Sequence, residues 1–247
     1  MKRNTYFKLL PALFFVWAES SGASLIKVDL QNIGAANQQT QAGWTPQELP
    51  TGPAGAGGFD LVLTSDGTAA GISATLGGDS DGWEARGGSS QQRGQITGTS
   101  FNDLLEDLVA TQDQDAFVSI TGLTIGQDYL FQTWHNDSYL VNQGFGSGGG
   151  TVTPSVIGGI ELSKSIGTIT NLKGIQTDSA FGVTSILFTA TSASATINLD
   201  GTNTNGFLPI NGISFSESIS AVPEPPIFLL FSIGALGLIT SLRSIDR

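Results

Sequence analysis

Three acidic side chains crowd one short stretch, Asp79-Ser80-Asp81-Gly82-Trp83-Glu84, at alternate and near-alternate positions around a glycine. Oxygen ligands at such spacing suit Ca²⁺, which takes about six to eight oxygens in a flexible loop. Asp79, Asp81 and Glu84 are therefore candidate metal ligands, and Ca²⁺ is the one cofactor the sequence suggests, without requiring it. The stretch lacks the full ligand array and closing bidentate Glu of an EF-hand. A bound ion here would be structural, and a solvated hairpin tip explains the same residues. A serine nucleophile needs a base within hydrogen-bond reach, and His135 is the only histidine. Asp137 lies close to it in Trp134-His135-Asn136-Asp137, but a loop-end imidazole bonded to a carbonyl is the simpler reading. A glycoside hydrolase needs two carboxyl groups flanking the scissile bond. Residues 24 to 225 carry nineteen acids, so some pair at a suitable distance is expected by chance. None stands in an apolar context that argues for a raised pKa. No catalytic residue is assigned, and the chain reads as a non-enzyme.

Sugar binding makes better use of the residues present. Saccharide sites stack aromatic rings on the apolar faces of sugars and surround them with hydroxyl-binding polar groups. Trp44, Trp83, Trp134 and Tyr139 are the available platforms. Two clusters result: Trp83 with Glu84 and Arg86, and Trp134 with Asn136, Asp137 and Tyr139. Core packing is the competing role for each tryptophan, and an ion pair is the competing role for Arg86 and Arg93. Gly144 to Gly150 is rich in glycine but has no lysine and no following helix, which rules out a phosphate loop.

Five basic side chains (Lys27, Arg86, Arg93, Lys164, Lys173) face those nineteen acids, a net charge of −14 over residues 24 to 225. No basic stripe exists, so a nucleic acid partner is excluded. Cysteine is absent, which removes disulfides and thiolate metal sites. Gly78-Asp79-Ser80 resembles the nucleophile motif of one class of lipases and esterases. In those enzymes the motif opens an α/β fold, whereas this chain lacks alternating helices.

The elements that must position these residues are strands. Ser24 to Leu30, Phe59 to Thr64, Ala70 to Leu76, Ala116 to Thr121 and Tyr129 to His135 are short β-branched and aromatic runs. Ile157 to Leu162, Gly182 to Thr189, Ala195 to Leu199 and Ile210 to Phe215 continue them. Leu25 sits out of phase with Ile26, Val28 and Leu30. Gly, Asn, Asp and Ser punctuate the runs, Asp200-Gly201 and Asn211-Gly212 with specific turn chemistry. The fold class is all-β, a jelly-roll-type β-sandwich. One short helix is predicted after the capping sequence Ser100-Phe101-Asn102-Asp103, with Leu104, Leu105, Leu108 and Val109 on one face. Its acids Asp103, Glu106 and Asp107 form its solvated side.

Both ends carry targeting signals. Met1-Lys2-Arg3 and Lys8 precede an apolar run from Leu9 to Ala18, and Ser21-Gly22-Ala23 offers a cleavage site. Residues 1–23 are read as a secretory signal peptide, and 24–221 as one domain. Residues 222–247 hold Val222-Pro223-Glu224-Pro225, then the uncharged run Ile227 to Leu242, then a basic tip with Arg243 and Arg247. The run is short of the roughly 20 residues that span a bilayer comfortably, but suits a thin membrane with the arginines cytoplasmic. This tail resembles the PEP-CTERM sorting signal of bacterial exported proteins: motif 222–225, transmembrane helix 227–242, basic tip 243–247. The resemblance implies recognition by an exosortase, membrane attachment through the C-terminal helix before processing, and delivery to the cell surface or extracellular matrix.

The mature domain resembles the galactose-binding-like β-sandwiches related to malectin and to carbohydrate-binding modules. The residues that carry this are Ile26 to Leu30 at its opening, Gly82 to Arg86 and the stretch from Asp103 to Leu108. Phe117 to Asp137 adds a strand, a Gly-Leu turn and a second strand, and Ile210 to Phe215 closes the domain. That resemblance implies Gly122-Leu123-Thr124 and Gly126 in a tight connection, and a last strand returning beside the first. Function follows as an expectation: non-catalytic binding to extracellular polysaccharide. A structural matrix component without a defined ligand is the alternative, and a polysaccharide-acting enzyme comes third.

Overall fold

A computed structural model describes residues 24–32, 39–49, 52–53, 61–63, 71–78, 83–87, 96–111, 114–137, 150–169, 174–175, 177–178, 181–202, 204 and 206–218. In chain order its strands are β1 (Ser24–Asn32), β2 (Thr45–Leu49), β3 (Gly52–Pro53), β4 (Leu61–Leu63), β5 (Ser73–Gly78) and β6 (Trp83–Gly87). There follow β7 (Ile96–Thr97), β8 (Asp107–Thr111), β9 (Asp115–Thr121), β10 (Asp128–His135), β11 (Thr151–Ile157) and β12 (Gly159–Ser165). The last are β13 (Gly167–Thr168), β14 (Gly174–Ile175), β15 (Gly182–Ala190), β16 (Ser194–Thr202), β17 (Leu208–Ile210) and β18 (Gly212–Glu217).

Alternation decides where these strands lie. Along β15 every second residue is buried, and β9 and β16 repeat the pattern. A pleated strand sends successive side chains to opposite faces, so such a run must lay one face on a core. Two open six-stranded sheets satisfy it. The first has the order β12-β15-β10-β18-β1-β2 and the second β13-β11-β16-β9-β5-β4. Tyr129, Phe131, Phe188 and Phe215 from the first share one core with Leu76, Val118, Ile120, Ile197 and Leu199 from the second. Burying each such side chain contributes about 1.5–3 kcal/mol. The strand pairs β9–β10, β11–β12 and β15–β16 each pass from one sheet to the other. Smaller sheets of order β17-β8-β6-β3 and β14-β7 complete the architecture.

Several expectations change at this level. Leu25 is out of phase with its neighbours, and a register shift between Ser24 and Ile26 against β18 lets Leu25 and Ile26 both be buried. The run Ile157 to Leu162 is two strands in different sheets, with the corner at Gly158, whose φ is +84°. Asp200-Gly201 lies inside β16 rather than in a turn. Asn211, read as a turn residue, is fully buried. Its amide donates to Trp134 O, its Nδ2 to Asp107 O, and its Oδ1 accepts from Asn136 N. It ties β8, β10 and β17 together at one end of the first sheet.

The helix predicted after Ser100 does not form. One helical bond, Leu105 N to Phe101 O at 3.1 Å, closes a single turn, and the chain then enters β8. Leu104 and Leu105 are buried in that turn and Leu108 and Val109 in β8, all five of whose residues are buried, so no period of two shows and the four mimic a helical face. The capping side chains serve the turn: Thr99 Oγ1 accepts from Phe101 N and Asn102 Oδ1 from Thr99 N. Ser100 donates from N and Oγ to the carboxylate of Asp178, and these bonds hold that carboxyl below its usual range.

Among the described residues no helix is long and apolar enough to cross a membrane. Residues 1–23 and 222–247 lie outside the described residues, and with them Val222, Pro223, Glu224, Pro225, the run 227–242, Arg243 and Arg247.

Candidate functional site

The outer face of the second sheet carries the candidate site. In β9 the residues in phase with the core are Ala116, Val118 and Ile120, which leaves Asp115, Phe117, Ser119 and Thr121 facing outward. In β16 the outward set is Ser194, Thr196, Asn198, Asp200 and Thr202. Phe117 is thus a large aromatic ring on the polar side of its strand. The ladders place Asn198 directly opposite it on one flank and Gly77 of β5 on the other. A Cβ at Gly77 would collide with the Phe117 ring, so the ring lies over that glycine, where any other residue would lift it. Ser155 of β11 faces Asn198 from the next strand.

These residues line a cleft of about 480 Å³ bounded by Gly78, Asp115, Phe117, Ser155, Asn198 and Asp200. Ligand clefts commonly enclose about 300–1,000 Å³ and combine an apolar platform with a few placed polar groups. A half-buried ring flanked by an amide, a hydroxyl and two carboxylates has that composition. Beyond it, β5, β9 and β16 continue the face with Thr75, Ser119 and Thr196 in one cross-strand row. The face is polar, hydroxylated and broad enough for an extended chain.

The residues singled out from sequence fall elsewhere. Trp83, Glu84 and Arg86 lie on β6, paired with Thr111, Ala110 and Leu108 of β8, and their side chains are outside the described structure. Tyr139, Asp79, Asp81 and Ser80 are outside the described residues. Trp134 is 6% exposed and presents no open ring face. It packs edge-on against Trp44 at 4.9 Å and tilted against Phe101 at 5.6 Å, in a second apolar cluster with Leu104, Leu105 and Phe181. Asn136 and Asp137 are buried beside it, and Asn136 Nδ2 donates to Leu105 O. Among the described residues no three His, Asp or Glu side chains group to hold a metal ion.

His135 is fully buried with both ring nitrogens engaged: Nδ1 with Pro209 O at 2.7 Å and Nε2 with Thr133 Oγ1 at 2.8 Å. A carbonyl only accepts, so Nδ1 carries the proton and Nε2 accepts from the threonine hydroxyl. Burial pushes the imidazole pKa down to about 4. The ring stays neutral, and no nucleophile outside the core can reach it.

Two acids do have raised pKa values, contrary to the expectation from their sequence contexts. Asp29 of β1 is pushed up to about 7, first by burial and then by the charges of Asp103 and Glu106. Gln41 N donates to its Oδ2 at 2.8 Å. Glu106 is also raised to about 7, by burial and by Asp103. Partly buried Glu106 and fully buried Asp107 are therefore not the solvated side of a helix. Asp29 is fully buried, so it cannot touch a polymer in solution. The signal for Asp29 was its apolar setting between Val28 and Leu30.

No protein-family model matches the chain, and no curated protein sequence matches it either. The cleft residues Asp115, Phe117, Ser155, Asn198 and Asp200 were missed by sequence reasoning, which looked for tryptophan. Phase would have found Phe117: it falls among the outward residues of an otherwise regular strand.

Proposed function

We propose that this chain is an exported protein of the cell surface or extracellular matrix that binds polysaccharide without catalysis, through the cleft over Phe117. The observation that carries the reading is the Phe117 ring laid across Gly77 on an outward, hydroxylated sheet face, with Asn198, Ser155, Asp115 and Asp200 around it. Its aromatic ring would stack on the apolar face of a sugar while amide and carboxylate oxygens take the hydroxyls. A jelly-roll-type sandwich of the galactose-binding-like kind suits the strand crossings between sheets. Export through the 1–23 signal peptide, membrane attachment by the 227–242 helix and processing by an exosortase at the Pro223-Glu224-Pro225 tail complete the proposal. Affinity electrophoresis in gels containing matrix polysaccharide tests it. Retardation of the wild type is expected, with Phe117→Ala losing roughly tenfold in affinity while keeping its β-sheet circular dichroism. Equal retardation of both proteins would remove Phe117 from the site.

One observation favours the structural-component reading. β12 is the edge of the first sheet, and Ile160, Leu162 and nearby Ile157 and Ile166 are exposed. Exposed apolar edge strands promote association between chains, tempered here by the Lys164–Glu161 ion pair at 3.1 Å. Concentration-dependent assembly lost on Leu162→Lys would support that role.

A further inference from the structure

Among the described residues the three most exposed large apolar side chains are Ile125 (66%), Ile157 (65%) and Ile160 (60%), and all three lie at one end of the sandwich. Ile125 sits in the turn 124–127 of the β9–β10 connection, closed by Gln127 N donating to Thr124 O at 3.1 Å with Gly126 at φ +85°. Turn tips favour Gly, Asn, Asp and Ser, so an isoleucine there serves something other than the turn. Ala190 O accepts from Gly126 N, and on its other flank Ala190 pairs with Gly159. Those two backbones are thus two strand spacings apart, about 10 Å. Ile160 opens β12 opposite Thr189, on the outer side of the first sheet. Ile157 closes β11 opposite Thr196, on the outer side of the second. Gly158 turns the corner between them, and its carbonyl accepts from Thr191 N. The isoleucines therefore ring a single end.

The chain leaves the domain at that same end. Ser218, the last described residue, donates from N to Asp128 O at 2.8 Å, and its carbonyl accepts from Gln127 Nε2 at 3.1 Å. Eight residues, 219–226, then separate it from the apolar run 227–242. Fully extended they reach about 29 Å, and Pro223, Pro225 and Pro226 restrict their freedom. The opposite end lies about 26 Å farther out along β16, so a run held in a bilayer keeps the isoleucine end nearer the membrane. We infer that this end is a membrane-docking surface: Ile125 enters the headgroup boundary, flanked by Ile157 and Ile160, in the bilayer that holds residues 227–242. Apolar side chains at such a boundary are buried about 5–10 Å deep. The inference rests on the membrane attachment proposed above and adds to it a surface and an orientation.

Attachment and docking are tested separately on the full chain, expressed in an exporting host that lacks an exosortase and reconstituted with phosphatidylcholine vesicles. Flotation with the vesicles reads attachment, and Leu236→Arg within the run should abolish it. The chain has no cysteine, so a fluorophore can be placed at one position, Thr124→Cys beside Ile125 or Thr202→Cys at the opposite end of β16. Lipid carrying a nitroxide close to the headgroup is expected to quench the label at Thr124→Cys and leave that at Thr202→Cys bright. Adding Ile125→Ser, at an exposed position that the core does not use, should shift the balance roughly tenfold toward the undocked state and restore the fluorescence. Flotation with both labels bright or equally quenched, or quenching indifferent to Ile125→Ser, overturns the docking inference and leaves the attachment standing. Cross-linking between copies through Thr124→Cys without quenching assigns this end to a second copy of the chain and overturns it too. No flotation, or flotation that survives Leu236→Arg, removes the attachment by 227–242 and the inference with it.

Discussion

Asp29 and His135 are both buried, and their titrations push stability in opposite directions. The folded pKa of Asp29, about 7, lies above its ordinary value of 3.8. The unfolded chain therefore ionises first, and stability falls as pH rises from about 4 to 7 and stays reduced above. His135 has a folded pKa of about 4 against an ordinary 6.5. There the unfolded chain protonates first, so stability falls as pH drops from 6.5 through 4. Glu106 adds to the Asp29 trend, weakened by its partial exposure. Asp29→Asn keeps an acceptor for Gln41 N and removes the charge. Urea unfolding should show it more stable than wild type at pH 8 by roughly 2 kcal/mol, with a steeper loss toward pH 4 as the His135 contribution stands alone. Identical curves would mean that Asp29 is not desolvated as described.

At the scale of elements, the β9–β10 connection and the β5–β9 pair each depend on one glycine. Gly122 has φ +85°, and a Cβ there would run into the backbone carbonyl of Gly71. Neither can yield cheaply, so Gly122→Ala should cost on the order of 2–3 kcal/mol in urea unfolding. Tyr129 accepts from Thr124 N in the same connection, and Tyr129→Phe should cost about 0.5–1 kcal/mol. Gly77→Ala differs, since its Cβ meets the half-buried Phe117 ring. That ring can swing outward, so the expected outcome is weakened polysaccharide binding at a stability cost of about 1 kcal/mol. Alternating strands such as β9, β15 and β16 were legible because one face of each is buried. β8 was not, because both its faces are covered, and Leu108 and Val109, read together with Leu104 and Leu105 of the preceding turn, fit a helix equally well. The cleft was illegible for another reason. Gly77, Phe117 and Asn198 are neighbours only through pairings between strands far apart in the chain, and no local pattern specifies that register.

For the whole molecule, charge and the proposed export set the context of the cleft. A net charge of −11 keeps the chain soluble and repels polyanions. The proposed route also has a physical signature. Intact mass of protein recovered from the host's matrix should lack residues 1 to about 23 and everything after the Pro-Glu-Pro motif. Retention of Ile227 to Arg247 would instead indicate a membrane-anchored protein. The location of the polysaccharide site is tested most directly by chemical-shift mapping of the isotope-labelled protein titrated with oligosaccharides cut from the host's matrix polysaccharide. The perturbed resonances are expected to cluster at Gly77, Asp115, Phe117, Ser155, Asn198 and Asp200 on the outer face of the second sheet. Saturable binding with perturbations confined to β6 or to the first sheet would contradict it.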